Sequence, residues 1–414
     1  MQKPFVIDAI FFLAFFLVSW WLMAKSFGYD AKKSQFRVAR HEVGDFGLHI
    51  SLIRSFVEGE NTPVQSPFFP GQPLVYHYGV DWLTAQFVRA GIPIDYAFNG
   101  ISAFALALLL YVLYSMGGIF APVLFLLPSN LSFVEMVTQA HNFWRFGDYI
   151  HKGPFDGSVI TIYTTLSPFL NQRHLIVGMA IGLTIIWLAS RTAKGWRTFA
   201  VFGIIIGLTT RIHIVIAVST AIVVAIMLLG ERKKELASFA ATFFVAAAGH
   251  VFSLREGIAI QWLNPGYLAP RPLTFGSWLS FWVANLGVLI ILIPIALRRA
   301  DGKGRRILLG AGVIFFVANS VQVSYRMEHN HSLINYAVVL ALPSVAGLLA
   351  RWWRTRRFVA ICALFLATIS GLFNLMVVKN DYQAMIDDVL KSGFMRWFRL
   401  LPSEAFLLDR KSVV

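Results

Sequence analysis

Asp45 and His49 stand four residues apart in the stretch from His41 to Phe56, so on a helix they project from one face. A carboxylate beside an imidazole is a minimal device for moving a proton, because either group can act as a base and histidine titrates near neutral pH. Glu42 lies three residues before Asp45, and Arg54 follows on the same stretch. As a purely structural part, Asp45 would cap the helix by accepting a backbone N–H. A cap explains neither the histidine one turn later nor the arginine.

A connector carrying Pro63, Pro67, Pro70 and Pro73 leads into a second polar cluster, Tyr76, His77, Tyr78 and Asp81. Proline fixes φ, so this loop would deliver the cluster at a set place. Tyr76 and Tyr78 equally suit an interfacial aromatic belt, whereas His77 and Asp81, again four apart, do not. Gln172, Arg173 and His174 open a later apolar run. An arginine at a helix start opposes the helix dipole, so a carboxylate, an anionic ligand or a lipid headgroup is its expected partner. Arg211 and His213 interrupt another apolar stretch, where ionisable groups are costly without partners. The last cluster holds Arg326, Glu328, His329, Asn330 and His331, and its structural reading is a solvated loop. For a metal, Asp45, His49 and His331 are the candidate ligands, with Glu328 and His329 near them, although no spacing is diagnostic.

The elements that position these groups are membrane helices. Of 414 residues, 57% are hydrophobic and 14% charged, and the mean hydropathy is +0.65, a composition of lipid rather than water. A net charge of +15 would suggest nucleic acid in a soluble chain. Here the basic residues fall in short loops at 191–197, 231–235, 298–306 and 351–357, as the positive-inside rule expects, and nucleic acid is excluded as a partner. The single cysteine, Cys362, rules out a disulfide framework within the chain.

A span needs about 20 apolar residues. The runs 5–24, 97–115, 173–190, 236–253, 277–297, 307–324, 333–350 and 358–378 qualify, and 78–91 is a shorter candidate. Residues 198–230 are too long for one span and read as two, meeting at a polar turn over 209–213; residues 118–136, with Pro122 and Pro128, read as a re-entrant hairpin. The expectation is an all-α, single polytopic domain of about 11 transmembrane helices, give or take two, with a cytoplasmic N-terminus in the plasma membrane. Residues 25–77 become a large outer loop bearing an amphipathic helix, and 379–414 an outer amphipathic segment in which 381–390 is read as helical. All ten histidines then fall on the outer side.

This arrangement resembles the GT-C class of membrane glycosyltransferases. The resemblance rests on the acidic residue after the first span (Gly44-Asp-Phe-Gly-Leu-His49), a polar connector returning to the membrane (Pro73 to Tyr78), and arginines at the outer ends of later helices. It implies a polyprenyl-phosphate-linked sugar as donor, an acceptor glycan, lipid or protein on the outer face, and Asp45 as the catalytic or metal-binding acid. Arg173, Arg211 and Arg326 become candidates for the donor phosphate, and a divalent cation such as Mg or Mn is compatible with the class. The chain departs from it in lacking a second acidic residue next to Asp45 and a large soluble C-terminal domain. A transporter or flippase of lipid-linked substrates, and a non-catalytic protein of the same fold, are the rival readings.

Overall fold

Apolar runs in lipid must satisfy their own backbone, and helices do so within a single segment. A computed structural model describes residues 5–39, 43–59, 61–69, 71–131, 133–134, 166–191, 195–230, 232–253, 264–266, 268–269, 272–323, 330–380 and 383–387. The first elements are α1 (Phe5–Ser26), β1 (Phe27–Asp30), β2 (Gln35–Ala39), α2 (Val43–Glu58), α3 (Gly79–Arg89), α4 (Ile94–Gly117) and α5 (Phe120–Leu126). After residue 165 come α6 (Ser167–Asn171), α7 (Arg173–Arg191), α8 (Trp196–Leu228), α9 (Lys233–Ser253), α10 (Phe275–Leu286) and α11 (Leu289–Arg299). The chain continues through α12 (Gly302–Ser320), α13 (His331–Thr355), α14 (Arg357–Asn380) and β3 (Gln383–Asp387).

Five helices, α1, α4, α7, α8 and α13, are long and apolar enough to cross a membrane; α10 and α11, bent by 88° at their break, add a sixth if taken together. The chain is thus a mainly helical, multi-pass membrane protein.

Contacts between helix ends fix the direction of each element. Helices α1 and α4 are antiparallel, with Trp20 against Tyr96 toward one end and Phe11 stacked on Tyr114 toward the other. Beside the first pair, the Tyr29 N–H donates to Asp95 (3.2 Å) and the Asn99 amide donates to the Phe27 carbonyl (2.9 Å). The chain therefore leaves α1 and enters α4 at one end of the bundle, here called the site end. This corrects the short span expected over 78–91: α3 has 11 residues, about 16 Å of helix against a hydrocarbon core of about 30 Å.

The opposite end carries the arginines of the short basic loops. Arg191 donates to the Ser115 carbonyl (3.3 Å), Arg306 donates to the Met227 carbonyl (2.9 Å), and Arg357 lies over Trp353. Of the hairpin expected over 118–136, residues 118–131 and 133–134 are described. Phe120 packs on Trp353 at this basic end, and Phe125 meets Phe169 of α6. This part of the segment enters the bundle from the basic end. Its broken backbone after α5 is covered by protein: the Ser370 hydroxyl of α14 donates to the Asn130 carbonyl (2.7 Å), and the Leu131 N–H donates to the Ala284 carbonyl of α10 (2.9 Å).

Helix α8 folds back on itself at His213, whose backbone is extended (φ −162, ψ 101). Arg232 stands 4.8 Å from the Phe199 ring, although residues 199 and 228 would lie about 43 Å apart on a straight helix. Two legs meeting at a polar turn, the arrangement expected from the sequence, account for this. The first leg runs parallel to α9, as shown by Thr242 bonding the Ala200 carbonyl (2.9 Å) and Arg211 the Ala246 carbonyl (3.3 Å). Gly203 and Gly207 let the two backbones meet, and a Cβ at Gly207 would stand 2.7 Å from the Phe243 carbonyl. Gly207→Leu should therefore lower stability by about 1–3 kcal/mol through overpacking, seen as an earlier unfolding transition in detergent.

A small antiparallel sheet, order β1-β2-β3, was not expected of an all-α chain. Strand β3 occupies part of the segment read as an amphipathic helix over 381–390; it pairs Gln383 with Ala39 and Asp387 with Gln35. The segments after the first and the last helix therefore lie at the same end of the bundle.

Candidate functional site

The site end is where the polar clusters meet. Helix α2 is amphipathic, as expected, but its apolar face is buried in protein: Phe46, Ile50, Leu52, Ile53 and Phe56 all belong to the core. His49 shares that burial, and its Nδ1 lies 3.0 and 3.1 Å from the two carboxylate oxygens of Asp81 on α3. Both residues are 1% exposed. The within-helix pairs suggested by spacing, Asp45 with His49 and His77 with Asp81, thus give way to a pair across two helices. Burial alone would push His49 down; the charge and hydrogen bond of Asp81, helped by Asp45, carry it above the ordinary imidazole value.

Asp45 sits in the first turn of α2, where the helix dipole favours an anion. It is half-buried, and its Oδ2 accepts from the Asn171 amide (3.1 Å). Tyr76 lies 5.9 Å from the His49 ring and 5.5 Å from the His174 ring. Burial, and then the charges of Asp45 and Asp81, hold its phenol well above the usual range, so it stays protonated as a hydrogen-bond donor.

His77, His174 and His213 form a packed trio. The His77 and His213 rings stack 4.5 Å apart, His174 and His213 lie 5.3 Å apart, and His77 and His174 5.1 Å apart. His213 occupies the turn of α8, where the Arg211 carbonyl freed by the broken helix accepts the Tyr78 N–H (3.1 Å). One residue earlier in that loop is His77. Gly178 of α7 gives the turn room, since a Cβ there would stand 3.1 Å from the His213 Cβ. Nδ1 of both His77 and His174 is buried without a hydrogen-bond partner. The Ile216 N–H is 3.5 Å from His213 Nδ1, the outer limit of a hydrogen bond. Burial, then His250 and His49, hold His77 down at about 3, leaving it neutral at physiological pH.

His331 opens α13 with an amide at each ring nitrogen, Gln172 at Nε2 (3.1 Å) and Asn335 at Nδ1 (3.3 Å). Among the described residues, His49, His77, His174, His213, His250 and His331 all gather at the site end.

Several expected ligand-binding groups are instead built into the scaffold. Arg173 is 0% exposed; it donates to the Leu170 carbonyl (2.7 Å), the Ser26 hydroxyl (2.6 Å) and the Met23 carbonyl (3.3 Å), and its guanidinium lies 5.5 and 5.4 Å from the Phe46 and Phe98 rings, which pack on each other. An anion there would have to displace those bonds. Asn330 ties the end of α12 to the start of α13 through the Ala318 and Val321 carbonyls and the Val323 N–H. Arg211 turns toward α9, and Arg54 is half-buried on α2. Glu42, Arg326, Glu328 and His329 lie outside the described residues. Sequence reasoning did not single out Asn171 as the partner of Asp45, nor His250, which packs 5.7 Å from Tyr78. Only its position at the end of an apolar run pointed to His250.

No protein-family model, no curated protein and no solved structure matches this chain. The site has to be read from its own chemistry.

Proposed function

We propose that the protein is a membrane glycosyltransferase that moves a sugar from a polyprenyl-phosphate donor to an acceptor hydroxyl on the non-cytoplasmic side. The observation that carries this reading is the half-buried Asp45 carboxylate beside the buried His49–Asp81 pair, at the end of the bundle opposite the basic loops. With the basic end taken as cytoplasmic, the site end is the non-cytoplasmic one, and the β2–β3 pairing, which joins the segments after α1 and after α14, supports an odd number of crossings from α1 through α14.

Asp45 takes the proton of the acceptor hydroxyl, whose oxygen attacks the anomeric carbon. The bond from that carbon to the lipid phosphate breaks on the opposite face, the phosphate leaves with the electron pair, and the configuration inverts. Asn171 orients the carboxylate, while Tyr76 and His49 present a donor and an imidazole beside it. Among the described residues, the partner of Asp45 is an amide donor rather than a second carboxylate, and Mg or Mn would call for more oxygen ligands than that.

The test is transfer of labelled sugar from a panel of polyprenyl-phosphate sugars by purified protein in lipid. Loss of a general base costs about 10²–10⁴-fold, so Asp45→Asn should fall by at least about 100-fold while remaining monodisperse. Wild-type rates in that variant, or no release of lipid phosphate from any donor by the native protein, overturn the reading.

A further inference from the structure

Three histidines from separate elements converge at the site end: His77 ahead of α3, His174 in the first turn of α7, and His213 at the turn of α8. One ligand-capable atom from each lies within 4.8 Å of the other two, and among the described residues no other trio of His, Cys, Asp or Glu does so. We propose that this trio holds one divalent transition-metal ion of the zinc class. The inference goes beyond glycosyl transfer and does not depend on it.

The chemistry of the donor set supports the choice of ion. An all-imidazole site suits Zn, Cu, Fe or Ni and disfavours Mg, Ca and Mn, which take oxygen ligands. Neutral imidazoles are the form that binds a metal ion. A buried polar atom left without a hydrogen bond costs about 1–3 kcal/mol; Nδ1 of His77 and of His174 are two such atoms in one cluster. Coordination by one ring nitrogen, with the other hydrogen-bonded to water, would relieve that cost.

Geometry permits it. Zinc at about 2.0–2.1 Å from each nitrogen of a tetrahedral site sets the nitrogens about 3.3 Å apart. From a spread of up to 4.8 Å, modest side-chain rotation closes the trio. The backbone is already in place, because the bond from the Tyr78 N–H to the Arg211 carbonyl locks the His77 loop to the His213 turn, and Gly178 seats that turn on α7. Three protein ligands leave a fourth position for water or a substrate oxygen, the pattern of catalytic rather than structural zinc. The His174 ring also neighbours Tyr76 and His49, at 5.5 and 5.4 Å, so an ion held there lies beside the carboxylate site.

Full-length protein, purified in detergent with any affinity tag removed, should carry about one zinc per chain by elemental analysis, or take up one equivalent of Zn²⁺ or Co²⁺ after chelator treatment. His174→Ala and His213→Asn should weaken Zn²⁺ binding by at least about 100-fold, whereas His250→Gln, outside the trio, should leave it unchanged. His174→Cys loaded with Co²⁺ should show a thiolate-to-cobalt charge-transfer band, which appears only if that side chain touches the metal and which remains readable if an alanine variant fails to fold. Absence of stoichiometric binding by the native protein, equal loss in His250→Gln, or Co²⁺ binding without that band overturns the proposal. Asp45→Asn should still bind one equivalent, so failure of the transfer reading and failure of the metal reading are separable.

Discussion

Asp81→Leu should cost the protein about 3–5 kcal/mol, because it strands the buried His49 imidazole without the carboxylate that holds it. Asp81→Asn keeps the volume and a hydrogen-bonding oxygen while removing the charge, and should cost only about 1–2 kcal/mol. The double replacement His49→Leu with Asp81→Leu should be less destabilised than the sum of the singles, since it removes both members of the pair. Unfolding in mixed micelles checks all three, and equal losses for leucine and asparagine would show that packing rather than charge dominates. The pair also sets a pH dependence. The folded-state value of His49 is raised, so its contribution is fully present below the unfolded imidazole value of about 6.5. It is lost as pH rises through the raised value. Wild-type stability should therefore decline on that alkaline flank by an increment that Asp81→Asn lacks.

The second large effect is expected at Arg173. Its guanidinium joins the end of α1, through Met23 and Ser26, to the α6–α7 corner at Leu170, with the Phe46 and Phe98 rings 5.5 and 5.4 Å away. Arg173→Met fills much of the space but takes the donor from the Leu170 carbonyl and removes both ring contacts. A buried group without its partner costs about 1–3 kcal/mol and each desolvated cation–π contact about 2 kcal/mol, so a loss of about 3 kcal/mol or more is expected. Arg173→Lys keeps the charge but not the planar fork, and should recover only part of it. If Arg173 bound substrate without bracing the fold, Arg173→Met would instead unfold at the wild-type point and lose only ligand affinity.

The contrast between these residues shows what a sequence can disclose about such a site. The break at His213 was legible because Arg211 and His213 interrupt a stretch too long for one span, and lipid penalises unpartnered charge. The amphipathic helix around Asp45 was legible from its periodicity. The fate of 78–91 was not: hydropathy cannot tell an apolar helix lying beside α2 from one crossing the bilayer, and only the antiparallel packing of α1 on α4 decides. The partners of the broken backbone after α5 were hidden for the opposite reason, since Pro122 and Pro128 mark a break but not that Ser370 and Ala284 cover it. Local spacing pointed to Asp45 with His49 and His77 with Asp81; the fold re-pairs them across helices. The trio at 77, 174 and 213 has no period at all, because a loop, a helix start and a helix break supply one ring each.

The pairing of β2 with β3 has a consequence for how the chain is made. Residues 39 and 383 are neighbours in the sheet, yet roughly 340 residues are synthesised between them, about 20–70 s at common elongation rates of about 5–20 residues per second. Throughout that interval the β2 edge waits without its partner strand, and an open edge is a template for wrong pairing. The three-stranded sheet can close only after α14 has been inserted, so it acts as a late seal on assembly. A nascent chain stalled before β3 would present that bare edge to whatever quality control meets the site end of the bundle.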